Sequence, residues 1–290
     1  MDLMDAPARR SQPRDSYMAL TVEEADRQLR RYAARLGLLA VLIPVLVPGA
    51  AGVAAWRQGG WCLRDSLSHF YYSPAGGNVF VILLSLIAGA LMFYRGENRV
   101  EGRLASAAGL AMLVVAFVPT SGGGCDAGRM QARGVVDAVR EGSGGGVPGV
   151  ELWRVAEGNA APLLFETAGS AWVHYGAATV LFLILATFCL RVFTRVRTVE
   201  HGTGSDSVDV ARSGALKPEK VVRNRLYRAG GVVILAAMAA MLARAFAGEG
   251  WSWWERWNLT LWLEALALAA FGLSWLLKGR FFGGFLASRP

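Results

Sequence analysis

Histidine and cysteine are scarce in this chain, with three of each in 290 residues. His69, His174 and His201 are spaced too widely for HExxH or HxxxH, so no single helix offers two imidazoles to a metal. Cys62, Cys125 and Cys189 each lack a second cysteine at metal-ligand spacing, which argues against a zinc ribbon or knuckle. No internal repeat is strong enough to argue for an inverted-repeat transporter. Charge is missing where the apolar runs are longest: no charged residue falls near the centre of a run, and only Ser85, Ser106, Thr179 and Ser274 bring polarity there. Ion-coupled transport, which needs polar groups at mid-membrane, therefore ranks behind other roles.

What the chain has is apolar length. Six stretches run over Leu36–Trp56, Asn78–Tyr94, Leu104–Pro119, Trp172–Phe193, Tyr227–Phe246 and Leu259–Leu277. A hydrocarbon core of ~30 Å needs ~20 helical residues at ~1.5 Å each. The second and third are short and must extend into polar neighbours or thin the bilayer. Six such helices leave too little polar sequence to cover a soluble core. The expected fold class is all-α: a polytopic membrane bundle of six transmembrane helices with both termini cytoplasmic.

Orientation follows from the basic residues, which concentrate in cytoplasmic loops. The N-terminal tail, the loops after spans two and four, and the C-terminal tail hold 22 of the 30 lysines and arginines. This basic face beside anionic headgroups accounts for the net charge of +8, so the partner expected is the lipid bilayer and no nucleic acid is needed. Protein partners are left open. Eight tryptophans, from Trp56 to Trp257, fall in or beside the opposite loops and mark an outer aromatic belt.

Three regions follow. Residues 1–35 form a cytoplasmic tail with a short amphipathic helix, opened by Thr21 and Glu24 at capping-box spacing. Residues 36–279 form the transmembrane domain, with an outer loop at 120–171 and a cytoplasmic loop at 194–226. Residues 280–290 form a second cytoplasmic tail. The apolar run from Leu36 continues through Trp56 without a clear cleavage motif, so span one is expected to be retained rather than removed as a signal peptide. Its Pro44 and Pro48 are expected to kink it unless neighbouring helices satisfy the freed carbonyls. Within the outer loop, residues 127–141 suit a short helix and GSGGGVPG a flexible linker. Ser85 with Gly89, and Ala105 with Gly109, have the four-residue spacing of close-packing small residues. In an oxidising outer compartment Cys62 and Cys125 are a candidate disulfide between two outer loops.

Chemistry, if present, belongs on the outer face. Asp65, Ser66, Ser68, His69, Tyr71 and Tyr72 crowd the entrance to span two, His174 opens span four, Asp126 follows Cys125, and Glu264 lies inside span six near its outer end. An ionisable residue within a span is costly unless it faces the bundle or water, so Glu264 is the strongest pointer. The catalytic candidates are Ser68, His69, Tyr72 and Glu264. The metal-ligand candidates are His69, His174, Asp65 and Asp126, a donor set compatible with a divalent metal such as zinc. A bound cation would activate water against a lipid-like substrate, with Ser68 or Tyr72 facing the oxyanion. The plain alternative pairs Glu264 with Arg244 and gives the histidines to helix caps and loops.

The segments SLSHFYYS, NVFV, YRG, FVPT, VHY and WLEALALAAFGLSWLLKG, over most of residues 61–279, resemble blocks of an uncharacterised family of bacterial polytopic membrane proteins. That resemblance implies a multi-pass architecture in a bacterial inner membrane and no particular activity. A weaker similarity is to the ceramidase and adiponectin-receptor superfamily, which implies a membrane hydrolase with a three-histidine zinc site. This chain departs from that pattern in having six spans and only two histidines, His69 and His174, on one face. Three roles therefore stand: a structural, sensory or assembly bundle; a metal-dependent hydrolase of a lipid-like substrate at the outer face; and a small-molecule transporter.

Overall fold

In the computed structural model, the described residues are 14–58, 63–94, 96, 98–118, 120, 170–195, 218–247 and 251–281. Cys62, Cys125 and Asp126, the short helix expected over 127–141 and the cytoplasmic loop expected at 194–226 fall outside them, wholly or in their larger part. Among the described residues there is no strand.

The helices are α1 (Arg14–Gln58), α2 (Pro74–Met92), α3 (Arg99–Phe117), α4 (Ser170–Thr187), α5 (Pro218–Phe246), α6 (Ser252–Arg256) and α7 (Leu259–Lys278). All but the five-residue α6 are long and apolar enough to cross a membrane. Even the short spans reach full length by drawing in flanking residues: α2 begins at Pro74, a favourable first helical position, and α3 begins at Arg99. Asn98 caps α3 by accepting from the Glu101 amide at 2.9 Å.

The separate amphipathic helix expected before span one is instead part of it. α1 runs for 45 residues from Arg14, so Thr21 lies inside the helix and not at its start. Helical structure also continues through Pro44 and Pro48.

The six long helices form a closed ring, in the order α7, α1, α2, α3, α4, α5 and back to α7. The first turns of α1 and the end of α7 lie together at one end of the ring, where Gly279 packs against Arg30 and Ala34. Inside the ring sit Ile43, Ile87, Leu91, Met112, Leu185, Ile234, Phe271 and Trp275, all fully buried. Outside it Val45, Val53, Ile82, Leu110, Val180, Leu235, Leu242 and Leu273 are exposed. An apolar girdle of this extent is the wrong surface for water and the right one for acyl chains.

With lipid tails as apolar as leucine, helices associate through close packing. α1 and α7 meet at Gly37 and Gly272: a Cβ on Gly37 would lie 2.5 Å from the Gly272 carbonyl, and one on Gly272 would lie 2.7 Å from the Gly37 carbonyl. Of the small pairs expected from spacing, Gly109 is used, with Ala88 and Met92 of α2 against it, whereas nothing approaches Gly89. Near the basic face α4 ends in a π turn, Phe188–Val192, with the Phe193 amide donating to the Phe188 carbonyl at 2.9 Å. That turn buries Phe188, Cys189 and Val192 together. Phe188, Phe193, Phe271 and Tyr94 then surround Trp275, with ring centroids 5.1 to 6.1 Å from its own.

Candidate functional site

The opposite, tryptophan-rich end is organised by the segment between α1 and α2. Residues Ser68–Tyr72 form one 3₁₀ helix, and Ser73 then caps α2 by accepting from the Gly76 amide. The turn is packed against the start of α2 so closely that a Cβ on Gly77 would lie 2.3 Å from the Tyr71 carbonyl. Leu67 and Phe70 are buried and plug the bundle from above.

α7 holds this turn by two kinds of bond. The Leu261 amide, an unsatisfied donor of the helix start, donates to the Asp65 carbonyl at 2.8 Å. One turn further in, the Glu264 carboxylate accepts from the Leu67 amide at 2.6 Å and from the Ser66 hydroxyl at 2.8 Å. The Ser66 oxygen in turn accepts from the Ser68 amide at 3.1 Å. Glu264 thus satisfies polar groups at the head of the 3₁₀ helix, a positioning role. The pairing of Glu264 with Arg244 expected from the sequence is replaced: Arg244 Nε donates to Glu255 of α6 at 3.1 Å, and its guanidinium forms an ion pair with the same carboxylate. The sequence placed Arg244 and Glu264 at one depth, which does not decide which side of the bundle each faces.

Held this way, Ser68 faces α4. Its hydroxyl is 2.9 Å from Nε2 of His174, and Nδ1 of His174 is 2.6 Å from the Val118 carbonyl at the end of α3. A carbonyl oxygen only accepts, so Nδ1 carries the proton and Nε2 presents its lone pair. The Ser68 hydroxyl therefore donates to Nε2. Ser68 is 8% and His174 3% exposed, so water competes little for either. A hydroxyl bonded to a base whose second nitrogen is fixed by another acceptor is the arrangement that activates serine nucleophiles. Here a main-chain carbonyl takes the place usually held by a carboxylate.

This pair opens onto a cavity of about 600 Å³. Its upper wall carries Asp65, Ser66, His69, Thr120, Thr260 and Arg244; its lower wall is Phe182, Leu183, Leu235, Met238 and Leu242 from α4 and α5. Leu183, Leu235 and Leu242 of that wall are exposed, so the cavity is open between α4 and α5 and not sealed inside the ring. A smaller chamber of about 190 Å³ lies beside it towards α6 and shares Asp65, His69, Arg244 and Thr260.

The sequence candidates thus divide. Asp65, Ser68, His69, His174 and Glu264 converge on one cavity. The side chain of Tyr72 lies outside the described residues, as do Asp126 and the two outer cysteines. Both nitrogens of His174 and the carboxylate of Glu264 are engaged by protein groups, and among the described residues no set of three His, Cys, Asp or Glu is arranged to hold a metal ion. Among the described residues, therefore, His69, His174 and Asp65 are not gathered into a metal centre.

Sequence reading missed the Val118 carbonyl, since a main-chain acceptor has no signature in residue type. It named Ser68 and His174 without pairing them, because 106 positions separate the two. Comparison with known proteins adds no label: no family model, curated protein or solved structure matches the chain.

Proposed function

We propose that this integral membrane protein is a serine-dependent acyl hydrolase or acyltransferase acting on a lipid ester at the outer face of a bacterial inner membrane. One observation carries the reading: Ser68 is hydrogen-bonded to the Nε2 lone pair of a buried histidine, at the polar end of a cavity whose other end is lined by apolar residues of α4 and α5. An amphipathic ligand matches such a cavity end for end.

The chemistry needs no further component than water or an acceptor alcohol. As Ser68 Oγ attacks the ester carbonyl, its proton moves to His174 Nε2, and the Val118 carbonyl holds the imidazolium through Nδ1–H. His69 and Thr260 line the same cavity and supply the donors from which an oxyanion site would be built. The leaving alkoxide takes the proton back from Nε2, leaving acyl-Ser68 and a free alcohol. Water or an acceptor alcohol then gives its proton to Nε2 as its oxygen attacks the acyl carbon, and the departing Ser68 oxygen takes that proton back, which releases an acid or a new ester and restores the resting pair. A bundle that only senses or stores a lipid would share the cavity without this turnover.

The experiment is fatty-acid release from ester lipids in nanodiscs holding the purified protein. Release by the wild type and its loss in His174→Asn support the reading; equal release by the two contradicts it. In the same preparations Glu264→Leu leaves the Leu67 amide and Ser66 hydroxyl without their acceptor, at about 1–3 kcal/mol per group. A fall in melting temperature is expected for Glu264→Leu and a smaller one for Glu264→Gln, which keeps an acceptor oxygen. Equal melting of Glu264→Leu and wild type would show that the carboxylate does not hold the turn.

A further inference from the structure

The smaller chamber has a composition that the hydrolytic reading does not use. Its wall combines one guanidinium, Arg244, with two carboxylates, Asp65 and Glu255, and the indole of Trp254. It is far roomier than the ~10–15 Å³ that admits one water. It shares Asp65, His69, Arg244 and Thr260 with the cavity that holds Ser68, so a group seated in it is continuous with one at the nucleophile.

Both signs of charge are present, and that decides the chemistry. A simple anion at Arg244 would stand beside two carboxylates, whereas a simple cation would stand beside the guanidinium. A group carrying phosphate and amine together meets both. Arg244 is a planar donor suited to phosphate oxygens. Its present partner Glu255 is half exposed, so a phosphate can take that place without uncovering a buried charge. The Trp254 ring adds an aromatic wall suited to an ammonium. The chamber also lies at the level of the tryptophans Trp251, Trp253 and Trp254, which cluster with ring centroids 5.5 to 6.0 Å apart, the depth at which headgroups reside.

We propose that this chamber is a headgroup subsite for a zwitterionic phospholipid: phosphate on Arg244, amine between Asp65 and Glu255, ester at Ser68, and acyl chain along the α4–α5 wall. The assignment rests on the reading of the Ser68 cavity as a lipid site. Substrate selection then lies with α6 and the outer end of α5, apart from the groups that carry out the chemistry.

The test reads binding and not turnover. Ser68→Ala protein is purified from nanodiscs containing equal phosphatidylethanolamine, phosphatidylglycerol and diacylglycerol, and retained lipid is counted by native mass spectrometry. Phosphatidylethanolamine is expected to exceed diacylglycerol by about tenfold, as loss of charge-assisted contacts would dictate. Arg244→Gln added to Ser68→Ala should erase that preference and Arg244→Lys restore part of it. Glu255→Gln with Asp65→Asn should bring phosphatidylglycerol level with phosphatidylethanolamine. Equal retention of diacylglycerol, or a preference unmoved by Arg244→Gln, overturns the subsite. So does delipidated protein that holds inorganic phosphate at Arg244 while showing no lipid preference. Fatty-acid release that persists in Ser68→Ala would instead overturn the nucleophile and leave the retained-lipid pattern to judge the subsite separately.

Discussion

Ser68→Ala is expected to reduce lipid-ester hydrolysis by about 10³-fold or more, the scale of losing a serine nucleophile or its base. His174→Ala should cost about as much, and the double variant little beyond either, because the two act as one unit. Ser68→Ala should not unfold the bundle. Ser68 loses one hydroxyl whose partner, Nε2 of His174, faces a polar cavity wall, and the turn around it stays held by Glu264 and Leu261. Melting temperatures within a few degrees of wild type, together with lost release, separate a chemical role from a structural one. Parallel loss in both would mean that Ser68 and His174 only brace the outer end.

Gly272→Val is expected to give the largest loss of stability. The added Cβ would meet the Gly37 carbonyl at 2.7 Å and the Val41 amide at 2.9 Å. Most overpacking costs ~1–3 kcal/mol because side chains can move aside. Here the obstacle is main chain of a helix that is itself packed along its length, so the cost should exceed that range and separate α1 from α7. A marked fall in melting temperature, or loss of the monodisperse species on size exclusion, is expected, with Gly37→Val behaving alike. Gly89→Val, which meets nothing within 4 Å, should be tolerated. If Gly272→Val melted like wild type, the α1–α7 contact would not be the seam of the ring.

All six spans were legible, because hydrocarbon demands an unbroken apolar run and a helix to satisfy its backbone. Their ends were less so: α1 absorbs a charged segment back to Arg14, since nothing stops a helix from leaving the bilayer as a helix. Four-residue spacing picked Ala105 and Gly109 and also Gly89, yet missed Gly37 and Gly272, because spacing along one helix does not reveal which neighbour approaches. At the site, membrane depth gathered Asp65, Ser68, His69, His174 and Glu264 on one face. Depth is one coordinate of three, and the other two decide that Glu264 holds the turn and Arg244 meets Glu255.

Whether Ser68 is a nucleophile decides the function. Wild-type protein and the His174→Asn variant in nanodiscs are each exposed to an alkyl fluorophosphonate, which phosphonylates serines activated by a base, and the adduct is located by peptide mass spectrometry. A single adduct on Ser68 is expected in the wild type, strongly diminished in His174→Asn. An unlabelled Ser68 in folded protein, or labelling indifferent to His174, would contradict that role.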